Sequence, residues 1–353
     1  MTASGRERAL AVTRDRHDRH SDFTFKDEFS GGSAMAVRPY SEEYGYDLSG
    51  NVLFIKHSSE GNSWQRDYRY GEGNNRLLST TVGDFTYNYA YHPRHGCMTG
   101  MPHLSSLKWN YADQMVRSSR QVRVDGGIPE TTYYQYDGSG TRFRKVTKAA
   151  ASDGTPALLE ERIYLDGFEI YRKHSGADKG LERTTIPGSD GERICLLIDR
   201  RNGVDDGTEK TLFRYQVHDH LGSATVEVDK AGVLISQEEF TPYGDTAWLA
   251  WNKSLKAAAK RYRYTGMERD EESGLSYHNA RYYIPWLGRW LSPDPIDIDG
   301  GLNLYCYCSN DPINKVDTNG FNDYDAWLKL HPNGQEKEKP ITLNITKSDE
   351  SKI

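Results

Sequence analysis

Three aspartates in turn-forming sequences lie near the end of the chain, and carboxylates can carry out acid–base chemistry. Asp294 and Asp311 each precede a proline, and Asp317 follows shortly after the second. When two carboxyl groups are held so close that both cannot ionise, one can activate water while the other protonates a leaving group. Aspartates in such turns also commonly cap the backbone. The residues alone leave catalysis and capping both open.

His218 and His220 form a second candidate site. Alternate positions of a strand would place both rings on one face, as a metal site requires. Two ligands do not complete such a site, and the sequence places no third. Because Asp219 separates the histidines and Leu-Gly-Ser follows them, a turn with local hydrogen bonds is the favoured interpretation.

The cysteines are too sparse for a disulfide framework in a chain of 353 residues. They are Cys97, Cys195, Cys306 and Cys308. The last two would share one face of a predicted strand, but zinc would need two further ligands, so we expect reduced cysteines packed as small hydrophobic residues. No Walker-type glycine loop, Gly-x-Ser-x-Gly elbow or His-Glu-x-x-His helix occurs in the sequence. We therefore predict neither a metal nor a cofactor.

The elements that position these residues are predicted to be β-strands. Apolar residues make up only 36% of the chain, whereas there are 24 tyrosines and 33 glycines. Tyrosine suits a pleated surface that is apolar at one end and wet at the other, and glycine supplies the positive φ of tight turns. The composition predicts an all-β chain of hairpins.

Tyrosine-rich units recur through the first part of the chain. They are Tyr44-Gly-Tyr46-Asp47, Tyr68-Arg-Tyr70, Tyr87-Asn-Tyr89-Ala-Tyr91 and Tyr134-Gln-Tyr136-Asp137. Alternate tyrosines lie on one face of a strand, aspartate caps the turn and glycine takes its left-handed position. We predict that each unit is one hairpin and that the hairpins stack against their neighbours, as in other repeat proteins.

Segments between and after these units predict further elements. Strands are expected at 101–111, 161–171, 193–198, 213–215 and 225–235. Residues 149–160 and 173–192 are polar and rich in small residues, so we predict surface loops there. One helix is predicted over 247–260, packed against the outer sheet. Its apolar stripe would consist of Trp248, Trp251 and Leu255.

Charge and hydropathy narrow the classes of partner. A net charge of −6, spread over both signs, provides no basic patch for nucleic acid or an anionic membrane. The first twenty residues lack the apolar core of a secretory signal, and no segment has the roughly 18 apolar residues of a membrane span. We expect a protein that is secreted without a classical signal peptide, or cytoplasmic before export, and that binds no nucleic acid.

The most specific spacing lies between residues 261 and 320. This stretch contains RYRYTGMERDEESGLSY at 261–277, NARYYIPWLGRWLSPDP at 279–295, GLNLY at 301–305 and NDPI at 310–313. It resembles the core domain of Rhs/YD-repeat proteins, and most closely the C component of bacterial insecticidal toxin complexes. The resemblance extends upstream through the tyrosine-rich units to about Tyr44. It does not include the residues after Gly320.

The resemblance implies an architecture. In this family, Tyr-Asp hairpins spiral into a hollow shell that a core domain closes. We therefore expect an all-β fold in which YD-repeat hairpins form a curved or spiral shell-like sheet, closed by an Rhs-associated core domain, with one short helix. The expected parts are a flexible leader at 1–40, the YD-repeat region at 41–245, the core domain at 246–320 and a short variable tail at 321–353.

The resemblance also implies an activity. In related proteins the core domain cuts the chain just after itself, as an aspartic protease acting on its own peptide bond. Carried over by motif, the two aspartates are Asp294 and Asp317, and the cut falls between Phe321 and Asn322. Folding supplies the proximity, so a reaction in cis needs no substrate pocket.

The sequence departs from the family pattern at several positions. Asp297 stands where glycine is usual, Thr318 where proline follows the second aspartate, and Phe321 where leucine is usual. Cys306 occupies a position where a further catalytic aspartate has been proposed in close relatives. Residues 269–272 and Arg281 are family-typical. Opposite charges around tyrosine-rich strands most often hold the strand register or line the rim of a sheet, and an exposed ion pair contributes only about 0–1 kcal/mol. We therefore predict a structural role for them.

Two functions from different classes follow. The first is a shortened toxin-complex C-type shell protein that encases a C-terminal effector and releases it by self-cleavage. Its partners would be a B-type shell component or other Rhs shell segments, and an immunity protein. The second is a non-enzymatic β-rich interaction or surface module, a remnant cassette whose core merely caps the sheet.

Overall fold

Antiparallel β-strands build nearly all of the protein, as a computed structural model shows. The structure describes residues 2–8, 37–120, 123, 125–190, 194–252, 255 and 257–325. Over these residues it contains only short 3-10 turns and no α-helix. The predicted all-β class is confirmed, because tyrosine and the β-branched residues of the hairpins pack better on a pleated surface than on a helix.

Two large sheets follow each other along the chain. The first, of six strands, contains β1 (Thr2–Arg8), β2 (Val37–Tyr46), β3 (Val52–Ser59), β4 (Trp64–Tyr70), β5 (Leu77–Val82) and β6 (Phe85–Asn88). A short pair, β7 (Ala90–Tyr91) and β8 (Met98–Gly100), comes next. The second sheet, of twelve strands, contains β9 (Leu104–Trp109), β10 (Met115–Arg120), β11 (Thr131–Tyr136), β12 (Arg142–Lys148), β13 (Leu158–Leu165), β14 (Phe168–Lys173), β15 (Leu181–Asp190), β16 (Ile194–Gly203), β17 (Thr211–His218), β18 (Ala224–Val228), β19 (Leu234–Phe240) and β20 (Thr246–Trp251).

In both large sheets, every strand is hydrogen-bonded to its neighbours in sequence, so both are meanders. Four turns share the predicted geometry, at Asp47, Asp137, Asp219 and Asp229. In each, one carboxylate oxygen accepts hydrogen bonds from the backbone N–H groups two and four residues later, at 2.8 to 3.0 Å. A glycine three residues after each aspartate has positive φ, for example +87° at Gly140. The Asp219 turn confirms the turn interpretation of the 218–223 segment.

A small core sheet joins the two large sheets. It consists of β21 (Glu268–Arg269), β22 (Ser276–His278), β23 (Arg281–Ile284) and β24 (Arg289–Trp290). Arg289 donates to the Asn75 carbonyl at 2.6 Å, which connects this sheet to the end of the first large sheet. Arg142 of β12 donates to Asp270 at 2.6 Å, which connects it to the second. A buried aromatic stack, with the rings of Tyr283 and Tyr307 at 4.1 Å between centroids, fills its centre.

The helix predicted over 247–260 is wrong. Residues Thr246–Trp251 are strand β20, which pairs with β19 so that Trp248 lies opposite Glu239. Trp248 and Ala250 are buried, so the apolar residues alternate inward with a period of two. The strand pairing overrides the helical propensity of residues 247–251. Residues 257–260, which include the alanine run, have no regular secondary structure. Residues 253, 254 and 256 lie outside the described part of the chain.

Two other predictions are corrected. Residues 173–192 were expected to be a surface loop, but Leu181–Asp190, half of this range, form β15, which pairs with β16. Its polar side chains are accommodated by ion pairs such as Arg183 with Asp206. Cys306 and Cys308 do not lie on one strand, because Cys308 begins a 3-10 turn (Cys308–Asn310). All four cysteines are thiols that form no disulfide, and Cys97 and Cys308 are buried as predicted.

The predicted leader at 1–40 includes strand β1 and the first residues of β2. The rest of that range and most of the tail at 321–353 lie outside the described residues. The domain boundaries stay predictions. Among the described residues, no helix is both long and apolar enough to cross a membrane.

We expect Asp47→Ala to lower the free energy of unfolding by about 1 kcal/mol, because the Ser49 and Asn51 N–H groups lose their shared acceptor. Chemical denaturation of the purified chain measures this change. Asp153→Ala is the matched control, since Asp153 is an exposed residue of another turn, and should stay within about 0.5 kcal/mol of wild type. Equal effects of the two substitutions would show that the Asp47 cap is dispensable.

Candidate active site

Two buried side chains, those of His278 and Arg281, flank the turn between β22 and β23. This two-residue turn, Asn279-Ala280, places His278 directly opposite Arg281, and Asn279 adopts φ of +62°. Asparagine tolerates this left-handed conformation better than most residues. The turn therefore sets the position of His278 and Arg281 relative to each other.

Arg281 brings the two predicted catalytic aspartates together. Its Nη2 atom lies 3.0 Å from Oδ2 of Asp294 and 3.3 Å from Oδ2 of Asp317. The side chains of Arg281, Asp294 and Asp317 are 2%, 8% and 3% exposed. The Arg281 guanidinium also lies over the ring of Trp290, with its central carbon 4.1 Å from the ring centroid. The carboxylates thus share one nitrogen in a buried environment.

Each aspartate also caps its own turn. Oδ1 of Asp294 accepts the N–H of Ile296 at 3.0 Å, and Oδ1 of Asp317 accepts the N–H of Gly320 at 2.7 Å. In both residues one oxygen fixes the backbone and the other faces Arg281. Capping and pairing, which the sequence leaves as alternatives, are therefore compatible in one structure.

The environment favours a retained proton on this pair. Burial raises the pKa of Asp317 to about 6, while Arg281 opposes this effect and the nearby Asp294 adds to it. Burial also raises the pKa of Asp294, again against the opposing charge of Arg281. Two carboxyl groups with raised pKa values beside one cation can hold a single proton in mildly acidic solution.

His278 supports this arrangement without carrying charge. Its Nδ1–H donates to the main-chain carbonyl of Asp317, which assigns the proton to Nδ1. Burial lowers the pKa of His278 to about 3, so the ring is neutral at physiological pH. Its neighbours are aromatic, and the ring centroid of Trp290 lies 5.1 Å away. The histidine thus fixes the backbone of Asp317.

The predicted scissile bond lies on the loop of a second hairpin. Strands β25 (Lys315–Val316) and β26 (Tyr324–Asp325) pair so that Val316 lies opposite Tyr324. Phe321 and Asn322 lie in the loop between them, with Phe321 partly buried and Asn322 exposed. Nε of Arg281 donates to the carbonyl of Gly320 at 2.6 Å. The same guanidinium therefore holds both carboxylates and the residue that precedes Phe321.

The positions that depart from the family pattern lie around this site. Asp297 and Asp299 are exposed on the 3-10 turn Asp297–Gly300, where water screens their charge from the buried pair. Burial raises the pKa of the Cys306 thiol to about 11, so this side chain stays protonated. No group of three or more potential ligands that could hold a metal occurs among the residues with described positions.

Comparisons with known proteins identify relatives of this chain. No family model matches the chain. Toxin subunit YenC1 of Yersinia entomophaga is 33% identical over 292 residues, which is 81% of this chain and 29% of that protein. The probable deoxyribonuclease RhsB of Dickeya dadantii is 27% identical over 322 residues, covering 79% of this chain and 21% of the relative. This chain belongs to the Rhs/YD-repeat family.

The Rhs fold is also found in a solved toxin complex. The crystal structure of TcdB2-TccC3-TEV matches with a TM-score of 0.75 and 27% sequence identity. The match covers 91% of this Rhs chain and 15% of that chain. This chain therefore spans less than a third of the length of the toxin subunit and a smaller share of the solved protein.

Arg281 is the residue of this Rhs core whose importance the sequence missed. We expected it to form an exposed structural pair, but it is buried and contacts both aspartates. The available signal was chemical, because two carboxylates that are predicted to lie close together away from water require a cation beside them.

Residues 269–272 were likewise expected to form exposed structural pairs, but Arg269, Asp270 and Glu272 are buried. Asp270 is fully buried and pairs with Arg142 at 2.6 Å and with Lys145 at 2.8 Å. Lys145 also contacts Glu272 at 3.1 Å. The two cations come from β12, so the Rhs core and the second large sheet meet through buried charges.

Gly320→Ala should disturb the loop that holds the predicted scissile bond. Gly320 has φ of +76°, and an added Cβ would lie 2.6 Å from the main-chain carbonyl oxygen of His278 and 2.8 Å from the main-chain nitrogen of Arg281. We expect the free energy of unfolding to fall by about 2 kcal/mol. Gly138→Ala, at a glycine with no atom within 4 Å of the new Cβ, should change it little. Denaturant unfolding compares them, and equal stability of the two variants would contradict the packing at Gly320.

Proposed function

We propose that this protein contributes shell hairpins and a closing core to a toxin-complex C-type assembly, and that the core cuts its own chain between Phe321 and Asn322. The observation that carries the proposal is the buried contact of Asp294 and Asp317 with one nitrogen of Arg281. An aspartic dyad needs two carboxyl groups that are close, shielded from water and able to share a proton.

Each aspartate has a separate role in the proposed reaction. Asp317, the less exposed of the two, holds the proton at the start. Asp294 takes a proton from a water molecule, and the oxygen of that water adds to the carbonyl carbon of Phe321. Asp317 then protonates the nitrogen of Asn322, and the carbon–nitrogen bond breaks. The products are a new carboxyl end at Phe321 and a new amino end at Asn322. Arg281 keeps the second carboxylate ionised and holds Gly320 in place.

The proposed partners follow from the relatives. The solved structure that this fold matches contains TcdB2 together with TccC3, and the matched YenC1 is named a toxin subunit. We therefore infer a B-type shell component, or further Rhs shell segments, as the partner that completes an enclosure around an effector. An immunity protein would protect the producing cell.

Asp294→Asn and Asp317→Asn should each abolish the cut. Mass spectrometry of the wild-type chain should show a fragment ending at Phe321 and a second beginning at Asn322, whereas both variants should remain intact. Asparagine keeps the turn cap but cannot hold the shared proton. Asp297→Asn, in the neighbouring exposed turn, is the matched control and should be cut like wild type. An intact wild-type chain would favour the non-enzymatic module, in which Arg281 merely neutralises two turn caps.

The rate of cutting should have a bell-shaped dependence on pH. At low pH both carboxyl groups are protonated and no base is present, and above about pH 6 Asp317 loses the proton that it must donate. On the alkaline side the rate should fall about tenfold per pH unit. The protein is unfolded in denaturant and diluted into refolding buffers of different pH, and the amount of each fragment is measured over time. A rate that rises continuously into alkaline solution would contradict an acid role for Asp317.

A further inference from the structure

One side chain of the loop contacts the nitrogen of the proposed scissile bond. Oδ1 of Asn319 accepts the N–H of Phe321 at 2.9 Å and the N–H of Asn322 at 3.3 Å. In the proposed cleavage, the Asn322 nitrogen is the atom that leaves. Asn319 is therefore a polar side chain with a hydrogen bond to the reacting amide.

The backbone that carries Asn319 is fixed on both sides. Its carbonyl accepts the N–H of Ala280 at 3.1 Å, and the next carbonyl, of Gly320, accepts Nε of Arg281 at 2.6 Å. Two residues earlier, the Asp317 carbonyl accepts from His278. Asn319 itself is exposed, so its side chain adds little to the packing of the core. An exposed side chain on an anchored backbone can orient the amide without being needed for folding.

The hydrogen bond has a specific consequence for the chemistry. A peptide nitrogen is planar, and its lone pair is delocalised into the carbonyl. When water adds to the Phe321 carbon, the nitrogen becomes pyramidal and its lone pair becomes available to accept a proton. If the N–H is held toward Asn319, the lone pair has a fixed direction and the acid can protonate it in one geometry.

We propose that Asn319 orients the Asn322 amide nitrogen for protonation by the aspartic pair. This inference rests on the proposed self-cleavage. It assigns a role to a side chain that is neither a carboxylate nor part of the buried pair, and the role requires only a hydrogen-bond acceptor at that position.

The test compares variants that differ in the acceptor. Asn319→Ala removes it, and cutting of the full chain after dilution from denaturant should slow at least about tenfold. Asn319→Asp keeps an acceptor oxygen and should cut within about threefold of wild type. Asn319→Leu, with similar size but no acceptor, should behave like the alanine variant and provides a second measurement if alanine loosens the loop. Asn314→Ala, at another exposed asparagine, is the control and should be unchanged.

The pH profile separates an orienting role from a general loss of structure. The alkaline midpoint of the Asn319→Ala profile should match wild type, because the titrating carboxyl groups are untouched, and its thermal unfolding should also match. A decrease of less than tenfold in Asn319→Ala, or an equal decrease in Asn319→Asp, overturns the inference. These results differ from failure of the proposed function, in which the wild-type chain itself stays uncut.

Discussion

The arrangement depends on one buried guanidinium. Removing a charge from water is costly, and the cost is recovered only when partners of opposite charge and hydrogen bonds surround it. Arg281 meets this requirement with two carboxylates, a main-chain carbonyl and the face of Trp290. Burial raises the pKa values of both carboxyl groups, and the single guanidinium that they share offsets this effect only in part. The contacts of Arg281 with both aspartates also carry the acid–base chemistry that we propose for this site.

The predictable parts of the fold are those set over short distances. The turn at Asp47 follows from an aspartate, a glycine and their spacing, so the sequence is sufficient to identify it. The strand β20 could not be identified in this way, because residues such as Trp248 fit an apolar stripe of either helical or strand spacing. The pairing with β19 decides between them, and that pairing is a tertiary contact.

The candidate site shows the same division. Asp294 and Asp317 are identifiable from motifs, but their proximity depends on the fold of the core. Arg281 acts across hairpins, and its partners cannot be inferred from spacing alone, whereas Asn319 contacts only residues two and three positions later. The ion pairs of Asp270 look like surface charges in the sequence because burial arises only when the core docks on β12. The burial of a charged side chain therefore cannot be predicted from the local sequence pattern.

The pairing of β25 with β26 bears on what a cut would accomplish. The bond between Phe321 and Asn322 lies at the tip of that hairpin, and beyond it Asp323 accepts a charged hydrogen bond from Lys315 at 3.0 Å. Severing the tip would produce a nick, since the downstream piece remains attached through backbone pairing and this ion pair. Release of the downstream segment would then be a separate dissociation event, sensitive to ionic strength, which the break in the chain alone would not bring about.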